Sequence, residues 1–302
     1  MSFQSGFLKT DDDVQIRWTS IGEGPPILCS NGVGVGTFFW KYISEKFSSN
    51  YTIVLWDYRG HGESDRRLEK VLPDISIQRH TKDLELLYQE LFPHKPPVIL
   101  MGHSMGCQVA LEFQRRNPKL CSSLILMLGG AGKSLDTFAE SRASKYVFRV
   151  VHRVIRKLGS KNNQIFPPLL TSRLAWPFAQ KFSLVDPLYM GKEDFSPYLT
   201  HMASMDMRVF LAAAWQCQVH NCWPTLSNID IPTLIIAAEK DSFFPISVMR
   251  KLHQNIPNSE FLILSGGSHA AIIEQPETIN YRISRFLIAH SNDDSPHQQK
   301  NG

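Results

Sequence analysis

Pro97-Val98-Ile99-Leu100-Met101-Gly102-His103-Ser104-Met105-Gly106-Cys107 is the stretch that decides the fold. Its first five residues form a short apolar run of buried-strand type. From Cys107 to Arg116, Val109, Ala110 and Phe113 recur at helical spacing. Between strand and helix stands Gly102-His103-Ser104-Met105-Gly106, of the form G-x-S-x-G. A motif of that form arises by chance in roughly one chain in ten of this length. The strand before it and the helix after it make it specific. Glycines on both sides let the backbone turn sharply and crowd closely. A serine at such a turn projects its hydroxyl at the top of a sheet. The Met105 amide then points to where an oxyanion would form. Ser104 is therefore the candidate nucleophile.

A serine hydroxyl needs a base to take its proton, and the base needs a carboxylate to hold its tautomer. Two downstream segments supply them. Thr233-Leu234-Ile235-Ile236-Ala237-Ala238 reads as a strand and is followed by Glu239-Lys240-Asp241 and Pro245. Phe261-Leu262-Ile263-Leu264 reads as another and is followed by Gly266-Gly267-Ser268-His269. Each sets a titratable residue just past the carboxyl end of an apolar strand, where open α/β sheets keep their sites. The chain order Ser104, Asp241, His269 is the α/β-hydrolase order. Asp136 and Asp206 do not follow a strand in this way and rank below Asp241.

These motifs resemble the α/β-hydrolase superfamily, over nearly everything from Phe7 to Ala289. Asp57-Tyr58-Arg59-Gly60-His61-Gly62-Glu63-Ser64 resembles the family's D-x-R-G-x-G-x-S turn after its fourth strand. The acid loop also matches, with Ala238 where glycine is usual. At the turn after the third strand many relatives carry His-Gly, whereas this chain has Ser30-Asn31-Gly32-Val33-Gly34. That version is more similar to enol-lactonases and some small esterases. The resemblance implies a mostly parallel sheet with helices on both faces, plus a helical cap inserted between strands six and seven. It also implies oxyanion donation by the Val33 and Met105 amides, and no cofactor. Gly32 to Gly36 could be misread as a phosphate loop, but it lacks the terminal Gly-Lys-Ser/Thr.

The 302 residues suit one α/β domain with an insertion. The runs Val14 to Ser20, Ile27 to Ser30, Thr52 to Asp57, Val98 to Gly102, Ser123 to Leu128, Thr233 to Ala238 and Glu260 to Leu264 read as strands, with helical patterns between several of them. The expected organisation is a core over 1–132 and 229–290, a cap over 133–228 and a disordered polar tail over 291–302. A net charge of +4 is too mild to suggest nucleic acid. No run of about 18 apolar residues exists to span a membrane. Met1 to Asp13 is polar and acidic with no secretory apolar core, and the cysteines number five, so a cytoplasmic chain with reduced thiols is expected. Cys217, His220 and Cys222 lie close in sequence but lack the paired four-ligand pattern of structural zinc, so no metal is expected.

The interval from Leu128 to Thr233 far exceeds the dozen or so residues of a parallel crossover. It carries Phe148, Trp176, Phe195, Tyr198, Phe210 and Trp215, and Met190, Met202, Met205 and Met207. Most must pack the cap onto the core. Those left lining a pocket suit an apolar, variable ligand. From Ser141, a plausible N-cap, to Leu158 before Gly159, Val147, Val151, Val154, Ile155 and Leu158 fall on one helical face. Arg142, Lys145, Arg149, Arg153 and Arg156 fall on the other. Such a helix either packs its apolar face on the core or contacts an anionic membrane peripherally. His61 and His103 are read as packing and turn residues, and Cys107 as small helix packing. The expected activity is hydrolysis of a lipophilic acyl ester. The alternatives are a lactonase, a carbon–carbon bond hydrolase or cofactor-free haloperoxidase, and, from another class, a ligand-binding receptor without turnover. Residue patterns alone leave the oligomeric state open.

Overall fold

Continuous apolar runs become strands here because neighbours cover both of their faces. The computed structural model describes residues 2–65, 74–136, 144–158, 162–181 and 184–290. Its strands are β1 (Phe3–Lys9), β2 (Gln15–Ile21), β3 (Pro26–Ser30), β4 (Thr52–Trp56), β5 (Val98–His103), β6 (Cys121–Met127), β7 (Thr233–Ala238) and β8 (Ser259–Leu264). They form one sheet in the order β1-β2-β4-β3-β5-β6-β7-β8. The β1–β2 and β2–β4 pairs are antiparallel, and all others are parallel. Ile27, Ile53, Ile99, Ile125 and Leu234 point to one apolar cluster, and Leu28, Val54, Leu100, Leu124 and Ile235 to another. That double burial is why these strands show no polar alternation.

Seven strands fall where the sequence runs predict them. β1 does not, because it lies in the stretch read only as polar. It is an edge strand with Phe3 67% and Phe7 55% exposed, so it carries no buried run to detect.

The helices are α1 (Lys41–Phe47), α2 (Ile77–Leu91), α3 (Met105–Arg116), α4 (Ser144–Leu158), α5 (Asn162–Leu170), α6 (Ala175–Lys181), α7 (Lys192–Ser204), α8 (Met207–Val219), α9 (Ile246–Asn255), α10 (Ala271–Glu274) and α11 (Pro276–His290). Ile43 of α1 and Ile283 of α11 join the Ile27 cluster. Leu84 of α2, Phe113 of α3 and Leu252 of α9 join the Leu28 cluster. Helices therefore cover both faces, as expected. The stretch between β6 and β7 contains α4 to α8. Asp206 caps α8 by accepting from the Arg208 amide at 2.8 Å.

The α4 helix meets the molecule by an unexpected edge. Phe148 and His152 stack on Trp215 of α8 with centroids 6.3 and 6.5 Å away. Arg149 lies 5.6 Å over the same ring. Val150, Val151 and Val154 remain 59%, 41% and 51% exposed. Of the two readings open for this helix, packing of the apolar face on the core does not hold for Val151 and Val154, which stay exposed while Phe148 and His152 meet Trp215. The side chains of Lys145, Val147, Ile155, Arg156 and Leu158 lie outside the described residues. Ser141, Arg142, Gly159 and the 291–302 tail lie outside the described residues. No described helix is long and apolar enough to cross a membrane.

Candidate active site

Ser104 stands between the end of β5 and the start of α3, at φ 55° and ψ −117°. A non-glycine residue in that region is strained by about 1–3 kcal/mol and persists only when its surroundings force it. The forcing comes from both glycines. A Cβ on Gly102 would lie 2.5 Å from the Gly106 carbonyl oxygen, and one on Gly106 would lie 1.9 Å from the Ser30 carbonyl oxygen. The chain can make this turn only with hydrogen at both positions.

The structure brings the three residues expected of a triad together. His269 Nε2 lies 3.0 Å from Ser104 Oγ, and His269 Nδ1 lies 3.0 Å from Asp241 Oδ2. Asp241 is fully covered, and its Oδ1 also accepts the amides of Phe243 at 2.8 Å and Phe244 at 3.1 Å. An acceptor so surrounded assigns the imidazole proton to Nδ1 and leaves the Nε2 lone pair facing the serine. That arrangement can move the hydroxyl proton to the ring while the carboxylate stabilises the charge that forms. The rings of Phe243 and Phe244 lie 4.6 and 5.9 Å from the imidazole. Asp206 is used at the α8 cap, and Asp136 sits in a short turn over Ser134–Asp136.

The expected oxyanion loop is beside the nucleophile. A Cβ on Gly32 would stand 3.1 Å from Ser104 Cβ. Asn31 fixes the loop by donating to the Trp56 carbonyl at 2.8 Å and accepting from Trp40 Nε1 at 2.5 Å. The Gly34 amide donates to His61 Nε2 at 3.2 Å, while His61 Nδ1 lies 3.1 Å from the Arg59 carbonyl. His61 thus hydrogen-bonds the loop that carries Val33. Arg59 beneath it is fully buried between Asp83 and Asp12.

Residues that sequence reasoning undervalued hold the histidine loop. His103 Nε2 donates to the His269 carbonyl at 3.0 Å, and burial lowers its pKa to about 3, so the ring stays neutral. Glu274 accepts from the Ser268 amide and hydroxyl and from the Asp186 amide, at 2.6–2.7 Å. Burial raises its pKa. His103 was legible only as a motif residue, and Glu274 only as a lone acid after Ala-Ala-Ile-Ile. Cys107 behaves as expected for packing: its thiol donates to the Gly102 carbonyl at 3.2 Å, and burial pushes its pKa far up.

The helices between β6 and β7 reach this edge of the sheet. A Cβ on Gly34 would strike Met202 Sδ at 2.3 Å and the Phe210 ring at 2.9 Å, and one on Gly36 would meet the His201 ring at 3.1 Å. Asp186 pairs with Lys240 of the acid loop at 2.7 Å. The Ser268 hydroxyl donates to the Leu184 carbonyl at 3.0 Å.

Comparison with known proteins agrees with this architecture. A family model described as alpha/beta hydrolase fold matches residues 25–276. The chain is similar to a protein of Agrobacterium fabrum provisionally named carbamate hydrolase RutD, 26% identical over 274 residues, covering 91% of this chain and 97% of that one. It is also similar to 2-hydroxy-6-oxononadienedioate/2-hydroxy-6-oxononatrienedioate hydrolase 2 of Pseudomonas putida, 25% identical over 281 residues, covering 91% and 92%. Among solved structures, a thermophilic esterase from Thermogutta terrifontis superposes with a TM-score of 0.73 at 23% identity, covering 95% of this chain and 99% of that one.

Proposed function

Since this chain belongs to the alpha/beta hydrolase fold family, we propose that it is a serine hydrolase cleaving a carboxylic ester with a lipophilic acyl group. The observation that carries the reading is the Ser104–His269–Asp241 hydrogen-bond chain. Ser104 Oγ attacks the ester carbonyl and His269 Nε2 takes its proton. The Val33 and Met105 amides bind the oxyanion. His269 returns the proton to the departing alcohol, leaving an acyl-serine. Water, activated by the same ring, then releases the acid and frees Ser104. Asp241 orients His269 and stabilises its charged form. The acyl preference rests on Met202 and Phe210, which crowd Gly34 next to the oxyanion loop. A cap over 133–228 is part of the reading. The five unpaired, buried cysteines fit a reducing, cytoplasmic compartment.

The test is a fluorophosphonate labelling reaction followed by an ester series from acetyl to octanoyl. Ser104→Ala should abolish labelling and lower turnover on the order of 10⁶-fold. Each added methylene should raise kcat/KM by up to a few-fold, since about 0.8 kcal/mol is available per buried CH₂. Labelling that survives Ser104→Ala overturns the nucleophile, and a flat series overturns the lipophilic acyl group. The relatives' names favour a second reading, cleavage of a carbamate or a carbon–carbon bond by the same three residues. Higher kcat/KM on those compounds than on any ester would promote it. Tight binding of a ligand with no burst and no turnover would replace catalysis by reception.

We also propose that α4 contacts anionic membranes. Its exposed Val150, Val151 and Val154 adjoin exposed Arg149, Arg153 and Lys157, an apolar stripe with a cationic border.

A further inference from the structure

Glu112 lies on α3, two turns beyond the nucleophile. His220 and Cys222 lie at the far end of the insertion, where the chain leaves α8 to return to β7. All three are buried. We propose that these three side chains bind one divalent cation of the zinc class, fastening the end of the insertion to the helix that follows Ser104.

The geometry of the ligand atoms carries the inference. His220 Nε2 is 3.5 Å from Glu112 Oε2 and 3.6 Å from Cys222 Sγ, and Cys222 Sγ is 3.9 Å from Glu112 Oε2. The circumradius of the triangle with those sides is about 2.1 Å. Zinc bonds to nitrogen, oxygen and sulfur run about 2.0–2.3 Å. A cation at the centre therefore reaches all three atoms with almost no movement of protein. The donor set suits zinc. One thiolate, one imidazole and one carboxylate are neither the all-oxygen cage of magnesium or calcium nor an all-sulfur site.

The hydrogen-bond network aims the lone pairs at that centre. Gln108 Nε2 donates to the Cys217 carbonyl at 3.2 Å, and a carbonyl can only accept. The Gln108 oxygen must then face His220 Nδ1, 3.0 Å away, and accept its proton. The His220 lone pair is left on Nε2, toward Glu112 and Cys222. This is the outer-shell bond that fixes the tautomer of metal-binding histidines. The backbone is held as well: the Cys222 amide donates to the Ala131 carbonyl at 2.7 Å. Arg115 binds Glu112 from the solvent side through both carboxylate oxygens, at 2.6 and 2.9 Å, and is itself half-exposed. On binding, the Cys222 thiol gives its proton to solvent and a sulfur–metal bond forms. The thiolate and carboxylate together cancel the charge of the dication. The competing occupant of the gap is a proton on His220 Nε2, shared with Glu112.

The experiment uses the full chain, stripped with a chelator and titrated with Zn²⁺, then with Co²⁺ as a spectroscopic stand-in. One Zn²⁺ should bind per chain and raise the melting temperature. His220→Ala and Cys222→Ser should each weaken binding at least ~100-fold, and Gln108→Leu ~10–100-fold through loss of the outer-shell bond. Bound Co²⁺ should show a thiolate charge-transfer band that Cys222→Ser removes. Should a variant fail to fold, the wild-type cobalt spectrum decides alone, and bound cobalt without a thiolate band refutes the site. Zn²⁺ uptake no greater than that of His220→Ala, or no response of the melting temperature to Zn²⁺, assigns the gap to the proton and overturns the proposal.

Discussion

Asp241→Asn should abolish turnover without unfolding the chain, and the structure says why. Asp241 Oδ1 accepts two backbone amides, from Phe243 and Phe244, and both carboxylate oxygens face His269 Nδ1, Oδ2 at 3.0 Å and Oδ1 at 3.1 Å. An asparagine must keep its oxygen at the Oδ1 position, because only an acceptor suits two N–H donors. Its NH₂ group then points at His269 Nδ1. Nδ1 accepts from that NH₂ once the ring moves its own proton to Nε2, which exchanges its contact to the oxygen at the Oδ1 position, 3.1 Å away, for the amide donor. Nε2–H now faces Ser104 Oγ at 3.0 Å, and the base is gone. A wrong tautomer of this kind costs about 10⁴ in kcat, or about 5.5 kcal/mol. The assay is kcat on a chromogenic ester at neutral pH, with melting temperature as the folding control. Asp241→Ala gives the contrast. It leaves both amides without an acceptor, at about 1–3 kcal/mol for each buried group, so it should lose stability as well as activity. Asp241→Asn within tenfold of wild type would refute the tautomer reasoning. A fall in melting temperature equal to that of the alanine variant would refute the assigned amide orientation.

Gly106→Ala puts a methyl 1.9 Å from the Ser30 carbonyl oxygen. It should cost about 1–3 kcal/mol or more in urea denaturation, and wild-type stability would show that the elbow can relax. Asp186→Asn tests the Lys240 pair by pH. Burial pushes the Asp186 carboxyl up, but Lys240 and the Leu188 amide outweigh it and hold it below the usual value. A depressed folded pKa stabilises above the unfolded value of about 3.9 and loses that stability as pH falls through the folded one. The variant's melting deficit at pH 7 should therefore shrink steadily below pH about 4, and a constant deficit would refute the pair. Replacing Arg153 and Lys157 by glutamate should cut low-salt co-sedimentation with anionic liposomes and spare hydrolysis of a soluble ester. Arg149 is left in place because it lies over Trp215. Absence of wild-type pelleting at low salt retires the membrane contact.

What the sequence determined by itself was whatever depends on near neighbours in the chain. The runs that became β3 to β7 are largely apolar because both their faces are covered, and burial of that kind is written locally. The elbow is legible for the same reason, since Gly102 and Gly106 must flank Ser104 for the backbone to turn. Asp241 and His269 could be placed because each follows a strand end directly. Tertiary structure alone decided the rest. β1 is an exposed edge with no buried run, and its place follows from pairing with β2. The edge by which α4 docks depends on where Trp215 of α8 stands. His103 and Glu274 hold the histidine loop through contacts that no spacing announces. Cys217, His220 and Cys222 were neighbours in the chain, yet the fold discards Cys217 and recruits Glu112 from more than a hundred residues away. A helix fixes which residues share a face, but only the packing of one element on another fixes what that face meets.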